Sequence, residues 1–147
     1  MKRAGRKTVL VFGTFDLLHA GHRSFLKQAK RFGKNLIVAV GRDQVVAKLK
    51  RQKLIQSERQ RLKAIASLPY VHRAILASKN PWHRFSFIKK LKPDIIALGY
   101  DQMHYTTNLA SQLRRRGIVC RVVRLKPYRP RRFKSSLLRK NLASEKK

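Results

Sequence analysis

The sequence has few acidic residues, one cysteine and no long apolar run, and each shortage excludes a class of protein. Its 147 residues include only six Asp and Glu against 37 Lys and Arg, a formal net charge of +31. The single cysteine, Cys120, excludes an internal disulfide framework. No apolar run approaches the roughly 20 residues of a membrane-spanning helix. We therefore expect no membrane span and a cytoplasmic protein.

The excess of positive charge predicts affinity for polyanions, including nucleotides. The basic residues are spread along the whole chain. They are not accompanied by zinc-ligand spacing, a basic-region zipper or an aromatic RNA-binding signature. Two interpretations stay open: a solvated basic surface without a dedicated partner, and non-specific association with nucleic acid.

Short apolar stretches alternate with helical patterns along the chain. The predicted strands cover residues 8–13, 35–40, 70–77, 94–99 and 118–125. Helices are predicted at 20–32, after Gly41, at 57–67, 81–91 and 107–116, and from Ser135 onwards. This alternation predicts an α/β fold with a Rossmann-like, open, parallel five-stranded sheet and helices on both faces. We expect a single domain over 1–147, with a core at about residues 8–140.

Unusual polar residues follow the predicted strands. The first strand continues into GTFDLLHAGH (13–22), the second into GRD (41–43) and the fourth into GYDQ (99–102), while KSS (134–136) follows the fifth. The carboxyl ends of parallel strands meet at one edge of a sheet, where open α/β proteins bind their ligands. We expect these four segments to lie together at that edge.

Two histidines stand where the first strand turns into a helix. The spacing of His19 and His22 places both imidazoles on one side of the helix N-terminus, near free backbone N–H groups. Gly21 lets a ligand approach the backbone closely, and a helix N-terminus favours negative charge. The segment predicts a phosphate cradle with two imidazoles; a tight turn and nothing more is the competing interpretation.

The stretch GTFDLLHAGH resembles the HxGH signature of the cytidylyltransferase-like nucleotidyltransferases. KSSLLRK (134–140) is similar to their second signature, a serine-containing pair at the start of the final helix. The similarity continues through residues 42–61 and 91–102, so that it covers about residues 8 to 140. The resemblance implies attack of a phosphorylated acceptor on the α-phosphate of a nucleoside triphosphate, with loss of pyrophosphate.

The resemblance also suggests an acceptor. GYDQ and RLKPY (124–128) look most like the archaeal-type FAD synthases, which adenylate FMN. FMN adenylyltransferase is therefore the first expectation, and a CTP-dependent cytidylyltransferase acting on glycerol 3-phosphate or a similar alcohol phosphate is the alternative. A basic nucleic-acid-binding protein on the same fold is an alternative of another class. Relatives commonly form homodimers, and we expect one here.

Residue roles follow from the same resemblance. His19 and His22 would hydrogen-bond the α-phosphate, and Lys48 would bind the transferring phosphate, with Lys50 or Lys53 as other registers. The implied nucleotide-binding residues are Thr14, Phe15, Ala20, Gly21, Arg61, Asp101, Tyr128, Ser135 and Ser136. Mg²⁺ would bridge the phosphates, and Asp16 is either its ligand or a turn residue.

Other candidates have structural interpretations. Asp43 and Glu58 match acidic positions of the family pattern but could equally cap helices. We expect Trp82 to pack at a helix start and Cys120 to be an inert core thiol. His72 and His83 are isolated histidines, for which a structural role is the simpler hypothesis.

Overall fold

One parallel sheet positions every segment of interest. The computed structural model describes residues 7–50, 53–100, 102 and 108–127. Its strands are β1 (Thr8–Gly13), β2 (Asn35–Val40), β3 (Arg73–Leu76), β4 (Ile95–Leu98) and β5 (Arg121–Arg124). All neighbouring strands are parallel, in the order β3-β2-β1-β4-β5. The predicted α/β class and five-stranded sheet are confirmed.

Helices connect the strands, and their boundaries have local causes. They are α1 (Ala20–Lys30), α2 (Asp43–Lys50), α3 (Glu58–Ala66), α4 (Arg84–Leu91) and α5 (Leu109–Arg115). The Ser57 side chain accepts a hydrogen bond from the Gln60 N–H, while Gln60 Oε1 accepts one from the Ser57 N–H. This capping box satisfies donors that the first turn of α3 would otherwise leave unpaired.

Helices cover both faces of the sheet. Alternate strand residues point to opposite sides, so each face presents apolar side chains that a helix can bury. On one face, Val9 and Val11 of β1 pack with Leu26 of α1 and Ile65 of α3. On the other face, Leu10 lies in a cluster with residues of β4, α4 and α5, namely Ile96, Leu98, Ile88, Leu109 and Leu113. β1 is thus enclosed from both sides, which explains its continuous apolar sequence.

The strand order reverses its direction at β1. The chain moves from β1 through β2 to β3 on one side, and then returns to add β4 and β5 on the other. A crevice is expected outside the carboxyl ends of the strands at such a reversal point, here between β1 and β4. The turn carrying the two histidines follows β1 directly.

Two single-residue expectations have different outcomes. The packing prediction for Trp82 is wrong: the side chain is 82% exposed, in a 3₁₀ turn (Pro81–His83) that precedes α4. Cys120 is half-buried just before β5, and burial, followed by the nearby Asp94 carboxylate, raises the pKa of its thiol to about 11. A thiol that stays protonated at neutral pH is a weak nucleophile. The predicted core position is met only in part, because Cys120 is half-buried.

The two isolated histidines, His72 and His83, are both exposed.

None of the helices in the described part of the chain is both long and apolar enough to cross a bilayer.

Because α1 carries the histidines, its docking on the sheet should determine stability. Leu26 is fully buried. We expect Leu26→Ala to lower the free energy of unfolding by about 2–5 kcal/mol through the cavity it leaves. Urea denaturation measures this loss. The control, Arg31→Ala at the exposed end of the same helix, should change it by no more than about 0.5 kcal/mol; equal losses would contradict the packing described.

Candidate active site

His19 and His22 form one stacked unit at the start of α1. Their ring centroids are 3.7 Å apart, with an interplanar angle of 23°. His19 is the N-cap, and its Nδ1 accepts hydrogen bonds from the Gly21 N–H at 3.0 Å and the His22 N–H at 3.4 Å. In return, His22 Nδ1 accepts from the His19 N–H at 3.3 Å. The pair is a capping box in which imidazoles replace the usual hydroxyl and carboxamide.

These hydrogen bonds fix the protonation of His19. Because Nδ1 accepts, the neutral ring carries its proton on Nε2. Burial, and secondarily the positive charge of Arg23, lowers the pKa of His19 below its ordinary value. His19 Nε2 is itself shielded from solvent, and no partner for it occurs among the described residues. The site therefore contains an oriented, neutral N–H donor with an unmet hydrogen bond, which is costly to leave unmade.

The predicted cradle of free backbone N–H groups needs correction. The amides of Gly21 and His22 donate to His19 Nδ1, so the imidazole already occupies the position expected for a phosphate. The helix N-terminus instead polarises the histidine ring that caps it. Donors to a ligand at this end of α1 would then come chiefly from the side chains.

The turn between β1 and α1 is held in an uncommon conformation. Phe15 and Leu17 both have positive φ values, 55° and 58°, which non-glycine residues seldom adopt. Phe15 is 4% exposed and packs edge-on against His22 and face-on against Phe25. A Cβ on Gly13 would come within 2.5 Å of the Phe15 ring, so only glycine fits there. The Phe15 ring supports His22 from the core, and the nucleotide-binding role of Phe15 stays a prediction.

Asp16 holds this turn to the segment before α3. It is 2% exposed, and its two carboxylate oxygens accept from the Ile55 N–H at 3.0 Å and the Gln56 N–H at 2.9 Å. Gln56 returns the contact, since its Oε1 accepts from the Leu17 N–H at 3.0 Å. This geometry gives Asp16 the role of a turn residue, and its role as a metal ligand stays a prediction.

Arg61 connects three segments at the same edge. Its side chain is fully buried, and Nη1 donates to the carbonyls of Thr14 at 2.8 Å and Gly41 at 2.9 Å. Nε donates to the Gln56 carbonyl at 3.3 Å, and Nη2 pairs with Asp43 at 2.6 Å. This burial and these bonds give Arg61 a positioning role at the edge of the sheet, and its predicted contact with the nucleotide stays a prediction.

Asp43 and Glu58 cap each other's helices. The Glu58 carboxylate accepts from the Asp43 N–H at 2.9 Å, and the Asp43 carboxylate accepts from the Glu58 N–H at 3.2 Å. Arg42 adds an ion pair with Glu58 at 3.2 Å and donates to the Ala77 carbonyl at 2.9 Å. The capping interpretation of both acids is therefore the one that their contacts support.

All four carboxylates in the described part of the chain accept hydrogen bonds from backbone N–H groups. Asp94 completes the set by accepting from the Thr8 N–H at 2.8 Å. These carboxylates are therefore hydrogen-bonded to backbone N–H groups of the loops and helix starts. The sequence carries 37 Lys and Arg against six Asp and Glu, and this net positive charge favours anionic ligands.

Two residues without an assigned role in the sequence predictions connect the strand ends beside β1. Gln102 Nε2 donates to the Phe12 carbonyl at 2.7 Å, and its Oε1 accepts from the Gly99 N–H at 2.7 Å. Arg124 Nη1 donates to the carbonyls of Gly99 and Gln102, at 2.7 and 3.0 Å. They join the carboxyl ends of β1, β4 and β5. In the sequence, the only indication of a role for Gln102 and Arg124 was their position within GYDQ and RLKPY.

The remaining predicted residues have varied placements. Thr14 and Ala20 are half-buried in the turn and at the first position of α1, and Lys48 is exposed on α2. Asp101, Tyr128, Ser135 and Ser136 lie outside the described residues. Within the described ranges, no three His, Cys, Asp or Glu side chains are grouped so that they could hold a metal ion.

Comparison with known proteins places this geometry in a family. The sequence profile described as cytidylyltransferase-like matches residues 10–141. This chain belongs to the cytidylyltransferase-like family. The FAD synthase of Methanothermobacter marburgensis is 43% identical over 131 residues, 87% of this chain and 80% of that protein. The FAD synthase of Methanosarcina barkeri is 45% identical over 117 residues, 80% of this chain and 81% of that one.

Two solved structures resemble the fold of this chain. A lipopolysaccharide core biosynthesis protein from Thermoplasma volcanium has a TM-score of 0.77 and 38% identity, covering 84% of this chain and 99% of its own. Pantoate-β-alanine ligase from Francisella tularensis shares the fold alone, with a TM-score of 0.64 and 17% identity over 92% of this chain and 65% of its own. The predicted family and reaction class, a nucleotidyltransferase, are confirmed.

Removal of the Arg61 guanidinium tests its positioning role. Arg61→Met would leave three carbonyls and the Asp43 carboxylate without their donor, so we expect the free energy of unfolding to fall by about 3–5 kcal/mol. Denaturant titration measures the fall, with Arg59→Met on the exposed side of α3 as the control. An unchanged stability combined with weaker triphosphate binding would contradict the positioning role.

The lowered pKa of His19 predicts a pH dependence of stability. As the pH falls, the unfolded chain protonates first, at about pH 6.5, so the contribution of neutral His19 is complete above that pH. It is lost as the pH falls through the lower folded-state pKa. Free energies of unfolding measured between pH 8 and pH 5 should therefore fall more steeply in the wild type than in His19→Asn. Parallel curves for the two proteins would contradict this.

Proposed function

We propose that this protein is an FMN adenylyltransferase, which joins FMN to the adenylyl group of ATP to form FAD and pyrophosphate. The observation that carries the proposal is the stacked His19–His22 pair, with its unmet Nε2–H donor, at the reversal point of the sheet. Two relatives named FAD synthase, 43% and 45% identical, support the choice of acceptor.

The chemistry is a direct displacement at phosphorus. A phosphate oxygen of FMN attacks the α-phosphorus of ATP and forms a new P–O–P link. The bond from that phosphorus to the bridging oxygen of the β-phosphate breaks in line, and pyrophosphate leaves. A phosphate monoester is mostly ionised at neutral pH, with a second pKa of about 6. The nucleophile therefore needs no general base, and catalysis consists of positioning and charge stabilisation.

His19 and His22 would stabilise the crowded α-phosphate. A neutral imidazole suits this role, because a ring whose Nδ1 accepts from backbone amides carries its proton on Nε2 and can donate it to a phosphate oxygen. The capping hydrogen bonds on Nδ1 hold that donor in place before substrate arrives, and preorganised donors of this kind act most strongly in the transition state. Because Nε2 is shielded from solvent, an oxygen would reach it only after neighbouring atoms shift.

The other predicted contacts complete the proposal. Lys48 would bind phosphate as a mobile point charge, Asp101 and Tyr128 would face the nucleoside, and Ser135 and Ser136 would hold the departing phosphates. The Thr14, Ala20 and Gly21 backbone would line the nucleotide. Mg²⁺ would enter as the complex of the triphosphate, a habit of Mg²⁺ in sites that handle nucleotides.

Several finer statements stay predictions. They are the single domain over 1–147, the cytoplasmic location, the homodimer and non-specific association with nucleic acid. The CTP-dependent alternative predicts cytidylyl transfer to an alcohol phosphate. It is less favoured because the two relatives described above are both named FAD synthase.

The decisive assay follows formation of FAD and pyrophosphate from Mg²⁺, ATP and FMN. We expect both products in equal amounts, with CTP and glycerol 3-phosphate as poor replacements. His19→Asn should lower kcat by about 10²–10³-fold, because it removes one preorganised donor. Asparagine is among the best N-cap residues, so helix α1 should remain capped.

The matched control is His72→Asn, which makes the same change at an exposed histidine away from the carboxyl edge of the sheet. It should leave kcat within about twofold of the wild type. Pyrophosphate release with CTP and an alcohol phosphate, but not with ATP and FMN, would replace the proposed acceptor with the alternative one. Full activity of His19→Asn would contradict the role given to the pair.

A further inference from the structure

Gln28, in the second half of helix α1, binds the main chain of a residue 98 positions further along the sequence. Its Nε2 donates to the Lys126 carbonyl at 3.1 Å, and its Oε1 accepts from the Lys126 N–H at 3.2 Å. A carboxamide carries both a donor and an acceptor, so one side chain pairs with both backbone groups of a residue that has left β5. We call this pair of bonds the Gln28–Lys126 clamp.

Leu125 anchors the chain immediately before the clamp. Its N–H donates to the Leu98 carbonyl at 2.7 Å, which extends the pairing of β5 with β4 by one residue. Its side chain is 6% exposed and lies in the same apolar cluster as Leu26 and Ala29 of α1. The sheet and the core thus hold the chain at Leu125, and Gln28 sets the direction in which it continues.

A series of contacts connects the clamp with the other side of the site. Arg124 donates to the carbonyls of Gly99 and Gln102, and Gln102 donates to the Phe12 carbonyl in β1. The turn after β1 leads to the histidine pair at the start of α1. Covalent chain and hydrogen bonds therefore form a closed ring, which runs from α1 through the clamp to β5, the loop after β4, the end of β1 and back to α1.

We propose that Gln28 is a positioning residue for nucleotidyl transfer, which holds the histidine pair at a fixed separation from the loop after β4. This inference rests on the proposed function and adds a residue that acts through others. The histidines lie at the start of α1 and the clamp about two turns later. A shift of the helix would therefore strain or break the clamp.

The size of such a shift matters for the rate. A misplacement of about 1 Å in a reacting group can lower the rate of an enzyme a hundredfold. The clamp itself consists of two hydrogen bonds at the protein surface, while α1 is held on the sheet by its buried residues, Leu26 and Ala29. Loss of the clamp should therefore lower the rate of catalysis more than the stability of the fold.

Amide hydrogen exchange tests the clamp without any substrate. Lys126 is exposed, so its N–H should be protected in the wild type by the bond to Gln28. Gln28→Leu keeps most of the side-chain volume but removes both hydrogen-bonding groups, and it should speed exchange at Lys126. The Leu125 N–H, which pairs with β4, should stay protected in both proteins.

Steady-state kinetics test the positioning role. Gln28→Leu should lower kcat for FAD formation about tenfold, since the histidines lose part of their alignment. The KM values for ATP and FMN and the urea midpoint should change little. Gln28→Glu keeps an acceptor for the Lys126 N–H and should recover part of kcat. The control is Gln44→Leu, which makes the same change at an exposed position of α2 and should alter none of these quantities.

Two results would overturn the positioning role alone. Equal exchange at Lys126 in the wild type and in Gln28→Leu would show that the clamp does not form in solution. Faster exchange with an unchanged kcat would make the clamp a structural contact only. Failure of the wild type to form FAD from ATP and FMN would instead overturn the proposed function and the positioning role with it, while the exchange rates would still report whether the clamp exists.

Discussion

A fully buried guanidinium is the constraint on which the site depends. Removing Arg61 from water is costly unless its N–H groups find partners. Those partners are the carbonyls of Thr14, Gly41 and Gln56 and the carboxylate of Asp43. The ends of β1 and β2 and the segment before α3 must therefore converge on one side chain. This convergence fixes the turn that leads into α1 and so the direction of the two imidazoles.

The few acidic residues in the described part of the chain all have structural contacts. Each carboxylate in the described ranges stabilises backbone amides, with Asp16 and Asp94 connecting distant segments and Asp43 and Glu58 capping neighbouring helices. Carboxylates with these hydrogen bonds hold the loop backbone in place. The remaining positive charge can lower the energy of a crowded, multiply charged phosphate.

The fold was largely predictable from the sequence, while the contacts of individual residues within the site were not. Enclosed strands such as TVLVFG and a capping signal such as Ser57 act locally, so their patterns are visible in the chain. Arg61 and Phe15 were assigned to the ligand because an arginine or aromatic near a phosphate site suits either role. Only the three-dimensional contacts show that both side chains are buried. The packing of Trp82 was mispredicted because a turn that begins with Pro81 does not specify which way the next side chain points.

The most direct test of the account is the fate of labelled phosphate. With FMN, Mg²⁺ and ATP labelled at the α-phosphate, the label should appear in FAD. With ATP labelled at the γ-phosphate, it should appear in pyrophosphate alone. A histidine pair that stabilises attack at the α-phosphorus predicts this distribution of the two labels. Transfer of the γ-label to FMN would contradict the account. So would the absence of the α-label from every flavin product.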